Sequence, residues 1–350
     1  KKQRLRALMS RAGEWYAGKL PKSPAETYAE QRGITKETVR TWRLGYAPDA
    51  WRDLLEGLTA EGFTIEELLA AGLIKEADGK PGTYYDRFRN RLMFPIRDTT
   101  GRVVAFTGRA LAEDKEAKYL NSPETELYHK SEILFGMDSA KDAIRVRKFT
   151  MLVEGQIDVI LAHQAGFPNA VALSGTALSE KHLALMKRYS ENLMLILDAD
   201  AAGLKATARS AELALRHGLR VKAAILPSGK DPADLIREDA KEFAHRVASA
   251  KPIVEFFLAE LGEKERNPHR FLRVAEDVVL PLIAAMPSPM EREHFTQAAA
   301  RAIGLSGEAV RESLRRLPKQ QGNESIGVPR TVPKAETRSP RDIRSEKLIA

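Results

Sequence analysis

The sequence contains no cysteine among its 350 residues. Disulfides, thiolate zinc sites, iron–sulfur clusters and cysteine nucleophiles are therefore excluded, and the composition fits a reducing, cytoplasmic environment. No stretch approaches the ~20 consecutive apolar residues that a membrane-spanning helix requires, so we expect no membrane partner. Aromatic residues are also few, at 7% of the chain.

The balance of charge is basic. The chain carries 56 lysines and arginines against 48 aspartates and glutamates, a formal net charge of +8. An excess of positive charge favours polyanionic partners such as nucleic acids, although a solvated surface with no such partner has the same composition.

Hydrophobic periodicity divides the chain into four predicted parts. Residues 1–145 begin with helices that start after Ser23, Thr35 and Thr64, since a hydroxyl there precedes early carboxylates. Two strands, 91–97 and 102–109, follow with a turn between them, and 119–125 is predicted to be a loop. Residues 251–316 have helical periodicity, and 317–350 are rich in Pro, Gly and charge, which predicts a flexible linker.

Residues 146–250 alternate between strand and helix. Strands are predicted at 149–153, 170–173, 193–197 and 221–226, with helices between them and a further helix from Pro232. This alternation predicts a parallel sheet covered by helices, whose functional residues lie beyond the carboxyl ends of the strands.

Carboxylates follow three of these strands. Glu154 ends the first, Asp198 and Asp200 end the third, and Asp231 follows the fourth. Such carboxylates repel one another unless a cation lies between them, and oxygen ligands alone suit Mg²⁺ or Mn²⁺. Asp158, four residues after Glu154, also has the simpler interpretation of a helix cap.

Several motifs resemble those of one family, the bacterial DnaG-type primases. The Toprim domain, shared with topoisomerases and some nucleases, is indicated by VEGQID at 153–158 and LDADAAG at 197–203. The primase class is indicated by LGYAP at 44–48, DRFRNRLMFPI at 86–96, TGRAL at 107–111, KYLNSPET at 118–125 and YHK at 128–130. The resemblance covers roughly residues 1–316.

This resemblance implies an α/β fold with an α+β N-terminal part. It would comprise an N-terminal primase core subdomain with a basic ridge (1–145), a Toprim-type parallel sheet flanked by helices (146–250), a helical subdomain (251–316) and a linker (317–350). The implied activity is that of a DNA primase, a DNA-directed RNA polymerase that makes short RNA primers on single-stranded DNA from ribonucleoside triphosphates.

The resemblance also implies roles for individual residues. Glu154, Asp198 and Asp200 would be catalytic and would bind Mg²⁺ or Mn²⁺, with Asp158 and Asp231 in the same acidic cluster. The residues implied in template and nucleotide binding are Arg87, Arg89, Arg109, Lys118, Asn121 and Lys130. Arg87 and Arg89, two apart in an extended run, are expected to face the same side.

Two modules of the family, the N-terminal zinc module and the C-terminal helicase-binding domain, are expected to be missing from this chain, unless Pro340–Ala350 is the opening of the second. We therefore interpret the chain as the polymerase core, with contacts to the replicative helicase and the single-stranded DNA-binding protein through other regions. Trp15, Trp42 and Trp51 are expected to pack within the helical segment rather than to stack on bases.

Two other classes stay open on the residues alone. A Toprim-type nuclease would cleave DNA with the same metal ions, and a non-catalytic DNA-binding module or a receiver-like phosphoacceptor could also carry acidic residues at the ends of its strands.

Overall fold

The computed structural model describes residues 1–111, 117–197, 201–265 and 267–317, without the side chains of 201–206 and 264. The helices are α1 (Lys2–Lys19), α2 (Pro24–Gln31), α3 (Lys36–Trp42), α4 (Asp53–Ala60), α5 (Ile65–Ala70), α6 (Met137–Arg147), α7 (Gln156–Gln164), α8 (Glu180–Lys187), α9 (Ala201–Arg216), α10 (Pro232–Ala248), α11 (Ile253–Lys264), α12 (Pro268–Ala285), α13 (Pro289–Ile303) and α14 (Gly307–Arg316). The strands are β1 (Gly45–Ala47), β2 (Ile74–Ala77), β3 (Lys80–Asp86), β4 (Arg91–Arg97), β5 (Val103–Ala110), β6 (Tyr119–Asn121), β7 (Thr150–Val153), β8 (Ala170–Ala172), β9 (Asn192–Leu197), β10 (Arg220–Ile225) and β11 (Lys251–Pro252). Across these ranges, each helix is too short or too polar to cross a bilayer.

The N-terminal helices begin where the hydroxyl signals predict. The side chains of Ser23, Thr35 and Thr64 each accept the backbone N–H of the third residue that follows. These bonds satisfy donors that have no partner within the helix, and they fix the first turns of α2, α3 and α5.

An antiparallel sheet with the order β1-β4-β5-β6 follows these helices. The predicted strand pair is confirmed as β4 and β5. The loop predicted at 119–125 is wrong in its first three residues, because Tyr119–Asn121 pairs with β5 as an edge strand. Three residues are too few to show the alternation from which a strand is predicted.

A second difference is the hairpin of β2 and β3, which the sequence analysis did not predict. The signal for it is the dipeptide Asp78-Gly79 between two short strands, with Gly79 at φ +72°. Such a dipeptide favours the tight turn of a two-stranded hairpin.

The alternating region forms a five-stranded sheet with the order β11-β10-β9-β7-β8. The four predicted strands are parallel, as expected, and β11 adds a short antiparallel strand at one edge. A parallel sheet of this kind requires a crossover between successive strands, and the helices α7, α8 and α9 supply them.

The two faces of this sheet are buried in different cores. Met151 and Val153 pack with β4 and β5 of the antiparallel sheet, so this core joins the N-terminal region to the parallel sheet. Leu152 and Leu195 pack on the other face with the helices that follow β11. Successive residues of a strand point to opposite faces, which explains why β7 serves both cores.

The tryptophans divide into two groups. Trp42 is buried, stacked on Phe135, and Trp15 is half-buried and donates its indole N–H to Asp53. Trp51 is 64% exposed, so the expectation that it packs inside the helical region is wrong. The predicted subdomain boundaries stay predictions, and the linker 317–350 lies outside the described residues except for Leu317.

Candidate active site

The carboxyl edge of the parallel sheet carries the acidic candidates. Glu154 is the first residue after β7 and is exposed. β9 lies beside β7 and runs parallel to it, with Leu195 opposite Leu152, so the chain leaves both strands at the same edge. Asp198 and Asp200, which follow β9, lie outside the described residues.

Asp158 is buried at the start of α7, where its two carboxylate oxygens accept different backbone N–H groups. Oδ2 accepts from Gly155 at 2.9 Å, and Oδ1 accepts from Ala233 at 3.1 Å. A Cβ on Gly155 would lie 2.8 Å from Oδ2, so glycine leaves the space that this carboxylate fills. Asp158 therefore ties the beginning of α7 to the beginning of α10.

Asp231 caps α10 in a similar way. Its Oδ1 atom accepts the backbone N–H of Asp234 at 2.7 Å. In the part of the chain that the structure describes, no three acidic or histidine side chains come together as a metal-binding group. Two of the three predicted catalytic carboxylates, however, are outside that part.

The face of the antiparallel sheet that carries the polar candidates is set by the register of β5 and β6. Arg109 lies opposite Tyr119, and Thr107 lies opposite Asn121. These positions are two apart on each strand and share one face. Nη1 of Arg109 donates to the hydroxyl of Tyr119 at 3.1 Å.

The guanidinium of Arg109 is also packed on Tyr28, 5.5 Å from the ring centroid. Arg32 packs on the same ring at 5.3 Å and donates from Nε to its hydroxyl at 3.0 Å. Burial raises the pKa of Tyr119 and Arg109 opposes that rise, so the phenol stays protonated. The sequence analysis did not predict Arg32 as part of this group. No motif includes it, because Arg32 meets Arg109 through the ring of Tyr28, which belongs to α2.

Asn121 connects the antiparallel sheet to the parallel one. Its Nδ2 atom donates to the carbonyl oxygen of Ser174, in the loop after β8, at 3.5 Å. A Cβ on Gly175 would lie 2.4 Å from Nδ2, so only glycine allows this close approach. The Oδ1 atom of Asn121 is buried with no hydrogen-bond partner among the described residues. A buried acceptor without a donor is unfavourable, and a ligand hydroxyl or amino group can supply that donor.

Arg87 and Arg89 make different contacts. Nε of Arg87 donates to the carbonyl oxygen of Asn121 at 3.4 Å, and burial lowers the pKa of this guanidinium. Arg89 stacks 4.1 Å from the ring centroid of Trp51 and 5.2 Å from that of Tyr85. The extended run on which their shared orientation was predicted is not observed, because β3 ends at Asp86 and β4 begins only at Arg91.

Lys118 and Lys130 flank this region. Lys118 is exposed directly before β6, and its carbonyl oxygen accepts the N–H of Ala110 at 3.0 Å. Lys130 is half-buried, and its backbone N–H donates to Glu124 at 2.9 Å. The structure thus connects Asn121 with Arg87 and places Arg109 on the same sheet face, whereas Arg89 lies with Trp51 in a separate group.

An acidic edge beside several guanidinium groups is suited to phosphate chemistry. Arginines bind phosphate oxygens with two parallel N–H groups, and a preformed arrangement loses little conformational entropy on binding. Stacking on tyrosine fixes the orientation of Arg109. Asn121 is held in place by its hydrogen bonds to Arg87 and to the loop after β8.

Three family models match separate regions of the chain. The DNA primase catalytic core, N-terminal domain, matches residues 15–141, and a Toprim-like model matches 151–236. The DnaB-helicase binding domain of primase matches 275–308, in the helices α12 to α14. This third match corrects the expectation that the helicase-binding domain is missing from the chain unless Pro340–Ala350 opens it, since the matched region lies before that segment.

Similar proteins are DNA primases. The DNA primase of Pseudomonas aeruginosa is 39% identical over 314 residues, which are 87% of this chain and 47% of that protein. A crystal structure of a DNA primase domain from Pseudomonas aeruginosa has a TM-score of 0.77 at 36% identity and covers 89% of this chain and 99% of that one. The structure of the DnaG primase catalytic domain bound to ssDNA has a TM-score of 0.76 at 32% identity and covers 88% of this chain and 98% of that one. The chain spans about half the length of the curated relatives that it matches.

Proposed function

The chain belongs to the bacterial DnaG-type DNA primases, and on this premise we propose that it is the RNA polymerase core of such an enzyme. It copies single-stranded DNA into short RNA primers from ribonucleoside triphosphates. The reaction is a nucleotidyl transfer, in which a 3′-hydroxyl attacks the α-phosphorus of the incoming triphosphate and pyrophosphate leaves.

The observation that carries this proposal is the contact between Asn121 and the loop after β8. Through it, the sheet face that holds Arg109 is attached to the loop after β8, and β8 pairs with β7, the strand directly before Glu154. A polymerase needs a cationic surface for phosphates beside a carboxylate edge, and this contact supports such a neighbourhood.

The residues present fit an oxygen-coordinated divalent cation. Glu154 is an exposed carboxylate at the strand edge, and Asp198 and Asp200 follow the adjacent strand. We propose that these three hold Mg²⁺ or Mn²⁺, which when bound would neutralise the triphosphate and lower the pKa of the attacking hydroxyl. Asp158 and Asp231 belong to the same edge, and their bonds to N–H groups suit them to holding the loops in place.

The chain's own cations have separable roles in this proposal. Arg109, held between Tyr28 and Tyr119, orients phosphate oxygens of the nucleotide, and the unpartnered Oδ1 of Asn121 accepts a hydrogen bond from the nucleotide. Arg87, Lys118 and Lys130 hold template phosphates. Arg89, stacked with Trp51 and Tyr85, offers an aromatic and cationic surface to unpaired bases.

Partners follow from the same assignment. The match at 275–308 supports binding of the replicative helicase by the C-terminal helices, and the relative bound to ssDNA supports single-stranded DNA as template. We further propose a contact with the single-stranded DNA-binding protein and a cytoplasmic location at the replication fork.

A synthesis assay tests the proposal. The protein is incubated with single-stranded DNA, ribonucleoside triphosphates and Mg²⁺, and we expect oligoribonucleotides that disappear on treatment with RNase. Shortened end-labelled DNA would indicate a nuclease instead, and binding without either product would indicate a DNA-binding module. Either result overturns the proposal.

A further inference from the structure

We infer that His182, in the parallel-sheet region, is a positioning residue for Lys130, and that the first turn of α8 holds the segment 130–132 in the orientation that template binding requires. The inference rests on the proposed function in that Lys130 is taken to bind template phosphate. It concerns a residue of no catalytic motif, 52 positions from the lysine that it orients.

The backbone of Lys130 is fixed on both sides. Its N–H donates to Oε1 of Glu124 at 2.9 Å, and its carbonyl oxygen accepts from Nε2 of His182 at 2.8 Å. With both polar groups of the residue engaged, rotation about its backbone is restricted, and the point and direction from which the side chain leaves the backbone are fixed. Among the described residues, Nζ of Lys130 has no acidic partner, so its charge is available to a phosphate.

The hydrogen bonds of His182 define its tautomer. The backbone N–H of Ser179 donates to Nδ1 at 3.3 Å, so Nδ1 carries no proton. The proton of the neutral ring is therefore on Nε2, where it is donated to Lys130. The ring is fully buried, and burial lowers the pKa of His182, which keeps it neutral near pH 7.

Two neighbouring contacts hold the same segment. The hydroxyl of Ser179 donates to the carbonyl oxygen of Ser131 at 2.5 Å, and Nζ of Lys181 lies 2.6 Å from the carboxylate of Glu132. The loop that leads into α8 also carries Ser174, which accepts the bond from Asn121. One loop and one helical turn thus position two of the proposed binding residues against the parallel sheet.

A double-mutant cycle tests the inference with the whole chain. Single-stranded DNA binding is measured by fluorescence anisotropy at several salt concentrations for wild type, Lys130→Ala, His182→Leu and the double variant. If His182 acts through Lys130, His182→Leu weakens binding by up to about tenfold and lowers the salt slope by about one phosphate contact, as does Lys130→Ala. The double variant is then no weaker than Lys130→Ala alone.

Two further variants separate positioning from general stability. His182→Gln keeps an N–H near the position of Nε2 and is expected to restore most of the binding. His163→Leu is the matched control, since His163 also donates from a largely buried ring to a backbone carbonyl, that of Ala170 at 2.9 Å. It is expected to lower the melting temperature without changing the salt slope.

The outcomes distinguish this inference from the proposed function. Independent losses in the double variant, or an unchanged salt slope in His182→Leu, overturn the positioning role while wild-type primer synthesis still stands. If wild type makes no primer, the proposed function fails, and hydrogen exchange then decides the positioning role. Faster exchange of the Lys130 amide in His182→Leu but not in His163→Leu supports it, and equal exchange rejects it.

Discussion

The carboxylate of Asp158 bridges two helices, because one oxygen accepts the N–H of Gly155 and the other accepts the N–H of Ala233, 75 residues further along the chain. Both groups are at helix N-termini, where a negative charge is favourable. The bridge holds the loop after β10 against the loop after β7, which is the loop that carries Glu154.

Replacement of Asp158 by asparagine should destabilise the protein. The amide has only one acceptor oxygen, and its NH₂ group would face the second of the two backbone N–H groups. One of these N–H donors, of Gly155 or of Ala233, therefore loses its partner. We expect the free energy of unfolding to fall by ~1–3 kcal/mol in urea titrations. Asp142→Asn, at an exposed helical position, is the control and should change it by less than ~0.5 kcal/mol. Equal stability of wild type and Asp158→Asn would contradict the bridge.

Glu154→Gln should abolish primer synthesis while leaving the fold intact. The side chain is exposed, so the free energy of unfolding should stay within ~0.5 kcal/mol of wild type. A neutral amide is a poor ligand for a divalent cation, and we expect Mn²⁺ binding to weaken, as followed by electron paramagnetic resonance, and synthesis to fall at least ~100-fold. Asp198→Ala and Asp200→Ala should behave alike, and Glu263→Gln serves as control. Full synthesis by Glu154→Gln would remove this residue from the site.

Lys118→Ala should reduce the salt dependence of single-stranded DNA binding. One phosphate contact contributes ~0.7 to the slope of log K against log salt for a single strand. The exposed Lys36, outside the proposed binding set, supplies a matched control as Lys36→Ala. A slope for Lys118→Ala equal to that of wild type would mean that Lys118 touches no phosphate.

Because of Asp86, the free energy of unfolding should fall as the pH rises from 4 to 6. Burial raises the pKa of this carboxyl from 3.8 to about 6, although two N–H groups of α4, those of Leu54 and Leu55, oppose the rise. The folded state therefore binds a proton that the unfolded state has already released. The stabilisation from this bound proton is complete below pH 4 and is lost as the pH rises through 6. The free energy of unfolding falls by at most ~3 kcal/mol over this range.

The measurement compares wild type with Asp86→Asn, which cannot titrate. As the pH rises from 4 to 6.5, the unfolding free energy of wild type should fall relative to that of Asp86→Asn. Asp78→Asn, in the exposed turn of the β2–β3 hairpin, should show no such shift. A constant difference across this range would refute the raised pKa.

The sequence predicts those parts of the molecule that depend on local pattern. The four parallel strands and their helices follow from periodicity, and the starts of α2, α3 and α5 follow from single hydroxyl residues. The motifs around Glu154 and Asn121 also suffice to identify the family, because each is a continuous run of residues.

What the sequence does not predict depends on contacts between distant segments. Arg32 joins Arg109 through the ring of Tyr28, and His182 reaches Lys130, 52 residues earlier, because α8 lies against that segment. Arg87 contacts Asn121 and Arg89 stacks on Trp51, both from the irregular segment between β3 and β4. None of these relations has a spacing that could be counted along the chain.

The core shared by β4, β5 and β7 has a practical consequence for dissecting the protein. A fragment that carried only residues 146–250 would leave Met151, Val153 and Ile196 facing water where Leu92 and Phe94 now cover them. Its opposite face would lose Val279 and Ile283 of α12. Such a piece would be expected to aggregate on expression, so the parallel-sheet region has to be studied together with its neighbours on both sides.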